Sequence, residues 1–334
     1  MLRLALLSFW HVHAKDYERD ANEHPGAEIV AAWDEQPDRG RREAEKRGWR
    51  FYEQLDELLA NPEIDGVIVT TPTALHRAVM VAAARAGKHI FTEKVLAATL
   101  QDAQAIVDAA EQATIVLTVS LPRLAHGYTQ AFNEMIAAGL LGDLTQVRVR
   151  IAHGQAIRTA ELPEGRLPLH FYDPTEAQGG ALIDLGAHPL YLVRLLAGMP
   201  ESVQALYGFV THRAVEDNAV VLFRYPSGAI GIVETSFVSP ASPPMIEAHG
   251  TAGSLLYSAA DGKLRLRSAA ADNGMEWIVL EVPAGQPGPF AQWVAHIERG
   301  TRATDNITLA LDHVALVEAA NKAAESGQTV AVDR

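Results

Sequence analysis

The sequence predicts an α/β protein with two domains: an N-terminal doubly wound parallel sheet and a C-terminal α+β domain built on an open, mostly antiparallel sheet. Three observations predict this fold. A chain of 334 residues is too long for one typical hydrophobic core. Up to about residue 122, continuous apolar strands alternate with helices, as in parallel sheets covered on both faces. Beyond that point, short strands with alternating apolar positions dominate, so we place the domains at 1–122 and 123–334.

The first domain is predicted from apolar runs and the residues that stop them. Thr71-Pro72 ends the third strand, and Gly87 follows an alanine-rich helix, as helix C-termini prefer. The predicted strands are 2–7, 28–34, 66–70, 89–92 and 115–119, and the predicted helices are 56–59, 74–86 and 100–112.

The second domain is predicted as helices around a meandering sheet. Pro226-Ser227-Gly228 predicts a tight hairpin. Residues 154–179, rich in Pro, Gly and charged residues, are predicted to form a long loop, a type that is usually functional or disordered. The predicted helices are 130–138, 185–196, 290–299 and 309–326, and the predicted strands are 145–152, 203–210, 219–225, 229–237, 245–250 and 254–257.

Composition excludes several classes of site and partner. The chain has no cysteine, which rules out disulfides, thiolate metal sites and cysteine nucleophiles and favours a reducing, cytoplasmic location. Its formal net charge is -13, without a basic stripe, so we expect no nucleic-acid partner. The apolar residues 1–7 are too few to span a membrane, and we expect no membrane partner.

The turn after the first strand is where a Rossmann-type sheet holds the phosphates of a dinucleotide. Such turns use glycines so that amides approach the pyrophosphate. Here Ser8, Trp10 and His13 stand at the glycine positions. The turn can bind through a different set of groups or simply pack against the protein. We therefore take as candidate cofactor residues Ser8, Phe9, Trp10, His11 and Val12.

Two further strand ends supply cofactor candidates. Asp34 ends the second strand at the spacing where an acid contacts the adenosine ribose, which favours NAD and repels a 2′-phosphate. Arg39 and its neighbours lie close behind, so NADP stays open. After the third strand, hydroxyls and amides face the same edge of the sheet, which adds Thr70, Thr71, Pro72 and His76.

Two segments carry the candidate chemistry. Glu93-Lys94 ends the fourth strand, and a lysine there can favour the alkoxide-like form of a substrate oxygen during hydride transfer. Residues 179–188 join a glycine hinge to a predicted helix carrying Asp184 and His188. Four residues apart, these two share one helix face, which suits proton transfer by one group and orientation by the other.

Other candidates are weaker. Arg123, at the domain junction, and His170, in the long loop, are candidate substrate contacts. His11-Val12-His13 places two imidazoles on one face of an extended segment. We predict no metal there, because no carboxylate partner is evident nearby in the sequence.

Taken together, these segments resemble the Gfo/Idh/MocA family, named for glucose–fructose oxidoreductase and inositol dehydrogenase. The resemblance covers nearly the whole chain. The glycine-rich turn is replaced, and Val95 stands where the family motif Glu-Lys-Pro has proline, which predicts a trans bond after Lys94. The motifs that carry the resemblance are Glu23-His24-Pro25, Ala32-Trp33-Asp34, 70–76, Glu93-Lys94, 134–142, 179–188, 250–255 and the helix ending at Gly327.

The resemblance implies a function and a role for each residue. Lys94, Asp184 and His188 would surround the reacting carbon: His188 as general base, Lys94 polarising the oxygen, and Asp184 holding the substrate or tuning its neighbours. The first domain would bind NAD or NADP, and the second would bind substrate and form a homodimer or homotetramer through its sheet.

The implied activity is NAD(P)-dependent hydride transfer to or from a hydroxyl or carbonyl of a sugar, cyclitol or related polyol. Two alternatives remain. One is an NAD-dependent glycosidase that oxidises its sugar transiently. The other is a sensor that has lost the cofactor turn and catalyses nothing.

Overall fold

The computed structural model describes residues 1–271 and 275–332, and the chain divides into two compact units. The first comprises Met1–Leu121 and Pro287–Leu311, and the second comprises Pro122–Gln286 and Asp312–Arg334. The expected domain 123–334 includes 272–274 and 333–334, which lie outside the described residues. The assignment of cofactor binding to 1–122 and of substrate binding and oligomerisation to 123–334 stays a prediction.

Strands and helices follow in chain order. The strands are β1 (Leu2–Leu7), β2 (Ala27–Trp33), β3 (Arg50–Phe51), β4 (Gly66–Val69), β5 (His89–Thr92), β6 (Leu117–Val119), β7 (Leu144–Ala152), β8 (Ser202–Gly208), β9 (Asn218–Arg224), β10 (Ile230–Ser236), β11 (Met245–Gly250), β12 (Gly253–Ser258), β13 (Lys263–Ser268), β14 (Ile278–Leu280) and β15 (Val330–Ala331). The α-helices are α1 (Ala14–Glu23), α2 (Pro37–Arg47), α3 (Leu55–Leu59), α4 (His76–Arg85), α5 (Leu100–Gln112), α6 (Gly127–Ala137), α7 (Ala187–Ala197), α8 (Pro289–Arg299) and α9 (Thr304–Ser326).

The first unit is a six-stranded parallel sheet in the order β3-β2-β1-β4-β5-β6. The chain builds outward from β1 in one direction and then from β4 in the other, so the carboxyl ends of β1 and β4 meet where the strand order reverses. Open α/β sheets bind ligands at this switch point. The predicted doubly wound sheet is confirmed.

Helices cover this sheet, and two of them go beyond the sequence prediction. The turn after β1 leads into α1, whose Ala14, Tyr17 and Ala21 are buried along one face at helical spacing. The second addition is α2, which starts with proline and ends at Gly48 in the left-handed conformation, with φ of +70°.

A segment from far along the chain completes the first core. Phe290 and Trp293 of α8 pack on Phe91 of β5, with ring centroids 5.5 and 5.7 Å apart. The Trp293 indole N–H donates to the carbonyl of Val116 at 3.3 Å. All three rings are buried, so α8 is part of the hydrophobic core that also contains residues of β1, β4 and β5.

The second unit is built on a nine-stranded sheet in the order β14-β13-β12-β11-β7-β10-β9-β8-β15, antiparallel except for the pair β7 and β10. The predicted mostly antiparallel sheet is confirmed. Helix α7 packs on β7 and β10, burying Val147, Val149 and Val233. None of the described helices combines the length and apolarity that crossing a membrane requires.

Candidate functional site

The turn after β1 adopts a backbone conformation that is typical of glycine. Ser8 has φ of +80°, a region that side-chain-bearing residues rarely occupy. Its amide donates to the Trp33 carbonyl at 2.6 Å, its carbonyl accepts from Thr70 Oγ1 at 2.6 Å, and its Oγ accepts from the Trp10 amide at 3.0 Å. Ser8 is fully buried. The serine therefore takes the place of the first glycine and is held there by its own hydrogen bonds.

The amides of the turn are largely used inside the protein. The Phe9 amide donates to Asp34 Oδ2 at 2.8 Å, the His11 amide to the Thr70 carbonyl at 3.2 Å, and the His13 amide to His11 Nδ1 at 3.2 Å. In a glycine-rich turn, such amides point at phosphate oxygens. A phosphate at this turn therefore has to be bound partly by side chains.

The side chains of the turn differ sharply in exposure. Trp10 is only 4% exposed, so its ring packs within the protein, whereas Val12 is 38% exposed and the His13 side chain 44%. Phe9 stacks on Trp49 with ring centroids 6.4 Å apart. Because the Trp10 ring is buried, the turn exposes Val12 and His13 rather than Trp10.

The Asp34 carboxylate is fully buried and accepts four hydrogen bonds. Arg39 donates to both oxygens at 2.9 and 2.8 Å, and the amides of Phe9 and Gln36 donate at 2.8 and 2.7 Å. Asp34 thus ties the turn to α2. The predicted ribose contact by Asp34 would have to replace one of these bonds.

Glu35 is a candidate that the sequence prediction missed. It also pairs with Arg39, and its Oε2 is buried without a hydrogen-bond partner among the described residues. Burial and the neighbouring Asp34 charge raise the pKa of Glu35. The sequence signal for Glu35 was its position directly after Asp34, at the strand end where an acidic residue contacts a ribose hydroxyl in Rossmann-type sheets.

The segment after β4 contributes one hydroxyl without a partner. Thr70, Thr71 and Pro72 are buried, and among the described residues Thr71 Oγ1 has no hydrogen-bond partner. Both ring nitrogens of His76 lie 3.2 Å from carbonyl oxygens, those of Leu96 and Thr71, and burial lowers the pKa of His76. His76 therefore positions the Thr71 segment, and its direct cofactor contact stays a prediction.

Glu93 and Lys94 are both buried after β5. Lys94 Nζ lies 3.6 Å from Glu93 Oε1, and the Tyr17 hydroxyl donates to Glu93 Oε2. Burial opposes the charged form of Glu93, but the positive charges of His11, Lys94 and His13 outweigh it and lower the pKa of Glu93. Burial and Glu93 raise the pKa of Tyr17. The result is a charged carboxylate inside the first unit.

Two sequence expectations about this region are wrong. The Lys94–Val95 peptide bond is cis, although valine follows the lysine. The second expectation was that no carboxylate lies near His11 and His13. Glu93 directly follows strand β5, 80 residues beyond His13, and the metal-ligating atoms of the three side chains lie within 4.8 Å of one another. Glu93 is far from His11 and His13 in the sequence, but the parallel sheet brings the three side chains together.

The predicted shared helix face of Asp184 and His188 is also wrong. Helix α7 begins at Ala187, so only His188 lies on it. Asp184 lies in the preceding turn, where its amide donates to the Gly180 carbonyl at 3.1 Å. A Cβ at Gly186 would lie 2.5 Å from the Leu182 carbonyl oxygen, so glycine permits this tight turn before the helix.

His188 is held by a tyrosine that sequence reasoning missed. Its Nδ1 lies 3.0 Å from the hydroxyl of Tyr191, one turn further along α7, and the same hydroxyl accepts from the Arg123 amide at 3.1 Å. Tyr191 is fully buried and His188 is 9% exposed. When His188 Nδ1–H donates to Tyr191, Nε2 keeps its lone pair and can act as a base. The sequence signal for this contact was the three-residue spacing of His188 and Tyr191, which places both side chains on one face of a helix.

Glu216 anchors the glycine hinge and was also missed. Its Oε1 accepts from the amides of Gly180 and Leu182 at 3.2 and 2.9 Å, and its carbonyl accepts from the Ala181 amide at 2.8 Å. A Cβ on Gly180 would lie 2.0 Å from the Glu216 carbonyl oxygen. Burial raises the pKa of Glu216. This carboxyl group fixes the segment that carries Asp184.

The two other predicted substrate residues, Arg123 and His170, also lie in the second unit. Arg123 donates from Nη1 to the Tyr128 hydroxyl at 3.0 Å. His170 is half-buried in a short 3-10 helix, Leu169–Tyr172, within the predicted loop. The first part of that loop lines a cavity of about 990 Å³ together with residues 240–243. The residues that line it include His153, Gln155 and Arg166 but not His170, Asp184 or His188.

Comparisons with known proteins agree with this architecture. Residues 11–121 match the oxidoreductase family model with an NAD-binding Rossmann fold, and residues 129–256 match the Gfo/Idh/MocA C-terminal domain. A levoglucosan dehydrogenase solved with NADH and levoglucosan superposes with a TM-score of 0.82 over all of both chains at 20% identity. That likeness establishes the fold.

Sequence relatives point to the same family. A 1,5-anhydro-D-fructose reductase from Ensifer adhaerens is 30% identical over 73% of this chain and 72% of its own length. A D-apiose dehydrogenase from Paraburkholderia graminis is 29% identical over 96% of this chain and 85% of its own length. Several other curated relatives match over 48 to 60% of their own length. The chain belongs to the Gfo/Idh/MocA family of oxidoreductases, and its first unit carries the NAD-binding Rossmann fold of that family.

Proposed function

We propose that the chain is an NAD(P)-dependent dehydrogenase or reductase that acts on a hydroxyl or carbonyl of a sugar, cyclitol or related polyol. The observation that carries this proposal is the His188–Tyr191 pair. It fixes Nδ1 of an imidazole on the first turn of α7, so that proton transfer is assigned to Nε2. The names of the curated relatives, which include sugar and inositol dehydrogenases, support the substrate class.

The first unit fits a dinucleotide despite the missing glycines. Ser8 holds the glycine-type conformation, and the buried Thr71 hydroxyl at the same edge of the sheet has no partner among the described residues. Glu35 lies next to Asp34, where a ribose hydroxyl is contacted, and its Oε2 has no hydrogen-bond partner within residues 1–271 and 275–332. We propose Ser8, Phe9, Trp10, His11, Val12, Asp34, Thr70, Thr71, Pro72, His76, Glu93 and Lys94 as the cofactor site, with Glu35 added.

The cofactor, when bound, accepts or supplies the hydride, and the protein handles the proton. His188 Nε2 takes the proton of the substrate hydroxyl during oxidation and returns it during reduction. The imidazolium that forms is stabilised by the Tyr191 hydroxyl at Nδ1. The Arg123 amide donates to the same hydroxyl and so fixes its position.

Lys94 and Asp184 complete the proposed chemistry. A lysine ammonium stabilises negative charge on the reacting oxygen. Glu93 Oε1 lies 3.6 Å from Lys94 Nζ and forms an ion pair with it. Asp184, half-buried on the turn fixed by Glu216, accepts hydrogen bonds from substrate hydroxyls, and Arg123 and His170 contribute further substrate contacts.

The test is a screen of sugars and polyols with NAD and NADP, following the absorbance of the reduced nicotinamide. We expect turnover with at least one polyol. His188→Ala should lower kcat by a factor of roughly 100 or more, since general base catalysis contributes about 10²–10⁴-fold. His212→Ala, at an exposed position, is the matched control and should keep full activity. Equal turnover by both variants would refute the role of His188.

Two alternatives give different results in the same assay. A glycosidase using transient oxidation would release sugar from a glycoside without net formation of NADH. A sensor would bind its sugar without any turnover.

We propose that the protein is located in the cytoplasm. The absence of cysteine suits that reducing compartment.

We also propose that the chain forms a homodimer or homotetramer through its second sheet. The face opposite α7 exposes Leu206, Val220, Leu222 and Ile230 on the adjacent strands β8, β9 and β10. Contiguous apolar patches of this kind mark interaction surfaces. A second copy of the same sheet is the occupant that the family resemblance implies.

A further inference from the structure

We propose that His11, His13 and Glu93 form a binding site for one divalent transition-metal ion of the zinc type. This proposal goes beyond the proposed function and concerns the first unit alone. Two imidazoles and one carboxylate provide three ligands, with their ligating atoms within 4.8 Å of one another. Three protein ligands and an open position are the pattern of zinc sites that bind a further molecule.

The chain brings these ligands together from two strand ends. The His-x-His segment follows β1 and Glu93 follows β5, and both strands end at the same edge of the parallel sheet. The imidazole rings lie 5.0 Å apart between centroids, at an interplanar angle of 31°. Ligand atoms on a tetrahedral zinc are roughly 3.4 Å apart, as follows from bonds of about 2.0–2.1 Å. Side-chain movements of about an ångström therefore suffice.

Neighbouring groups orient two of the ligands. Asp16 Oδ2 lies 2.7 Å from His13 Nδ1, which places the proton of neutral His13 on Nδ1 and leaves Nε2 for a metal. The Tyr17 hydroxyl donates to Glu93 Oε2 and fixes that carboxylate. A carboxylate–histidine–metal arrangement is the usual support for a ligating imidazole.

Two features oppose binding and set the conditions of the test. His11 Nδ1 accepts a 3.2 Å hydrogen bond from the His13 amide, and ligation through Nδ1 replaces that bond. Lys94 Nζ lies 3.6 Å from Glu93 Oε1 and competes with a metal for the carboxylate. Two imidazoles favour zinc, cobalt or nickel over magnesium, which prefers oxygen ligands.

The ion would add positive charge at the turn whose amides are largely used inside the protein. The three ligands come from the turn after β1 and from the end of β5, where we propose that the dinucleotide binds. An open coordination position there would accept an anionic oxygen. Metal binding itself requires no nucleotide, so the proposal can fail while the proposed function stands, and the reverse also holds.

The experiment is equilibrium dialysis of the full, untagged, EDTA-treated protein against Zn²⁺ without nucleotide, with bound metal counted by mass spectrometry. We expect one equivalent for the wild type and for His212→Ala. His13→Ala, at a half-exposed position that tolerates change, should lose that equivalent. Asp16→Asn should weaken affinity roughly 10- to 100-fold, as loss of a supporting carboxylate does.

A second readout checks the ligands directly. Co²⁺ in place of Zn²⁺ should give a visible absorption band in the wild type, and His13→Ala should lack it. The proposal is overturned if the wild type binds less than one equivalent at millimolar Zn²⁺, or if His13→Ala and Glu93→Gln both bind as the wild type does. If the wild type bound Mg²⁺ as tightly as Zn²⁺, the assignment of the site to a zinc-type transition metal would be wrong.

Discussion

Replacement of Tyr191 by phenylalanine isolates the group that orients the proposed base. The change removes one buried hydroxyl, which contacts His188 Nδ1 at 3.0 Å and accepts from the Arg123 amide at 3.1 Å. A hydrogen bond to a group that becomes charged is worth about 1.5–3 kcal/mol. If His188 becomes an imidazolium during oxidation, kcat should fall roughly 10- to 100-fold, because about 1.4 kcal/mol is a factor of ten. KM should change little.

The assay is steady-state oxidation of a polyol substrate, with stability measured in parallel by urea unfolding. The matched control is Tyr207→Phe, which removes a half-buried hydroxyl that donates to Asn321 Oδ1 at 2.6 Å. Both variants should lose about 1 kcal/mol or more of stability, but only Tyr191→Phe should lose kcat. Equal kcat for wild type and Tyr191→Phe would refute the argument that Tyr191 prepares His188.

Three further predictions concern the hinge, a buried histidine and the exposed sheet. Gly180→Ala should destabilise the protein by roughly 1–3 kcal/mol in urea unfolding, because its Cβ would lie 2.0 Å from the Glu216 carbonyl oxygen. Gly288→Ala is the control and should lose less than about 1 kcal/mol, because its Cβ would meet no atom of the described residues within 4 Å. Burial lowers the pKa of His76, so the free energy of unfolding should fall as the pH drops below about 6.5, the pKa of histidine in the unfolded chain. His76→Gln should make the free energy of unfolding less dependent on pH in this range. An unchanged pH dependence would contradict the assignment. Leu222→Asp should reduce the mass measured by light scattering to that of a smaller assembly, and a monomeric wild type would contradict the proposed interface.

The sequence predicted the elements that have continuous or alternating apolar patterns. The predicted strand 2–7 and helix 100–112 have the same bounds in the structure. Helix α1 was missed because its composition is largely polar, and its apolar face reduces to Ala14, Tyr17 and Ala21. The packing of α8 in the first unit was equally hidden, because no local pattern shows which core Phe290 and Trp293 join.

The candidate site, like the fold, was predicted only in part from the sequence. Local signals pointed to Lys94 and His188 as candidates, but two of the contacts that shape the site come from residues distant in sequence. Glu216 reaches the glycine hinge from 36 residues away, and Glu93 reaches His11 across the sheet. Asp184 was wrongly placed on a helix because its i,i+4 spacing to His188 fits a helical face, whereas the glycines make a turn. Tertiary contacts of this kind leave no periodic signal.

The most direct test of the central claim is the binding of NAD and NADP to the purified protein by calorimetry, after any carried-over nucleotide has been measured by its absorbance. We expect one dinucleotide per chain. Ser8→Asp should bind more weakly, because a further carboxylate beside Asp34 and Glu35, on the phosphate path, would repel the ligand. His212→Ala should bind as the wild type does. Failure of both nucleotides to bind at millimolar concentration, in protein free of nucleotide, would contradict the claim that the serine-containing turn is a cofactor site.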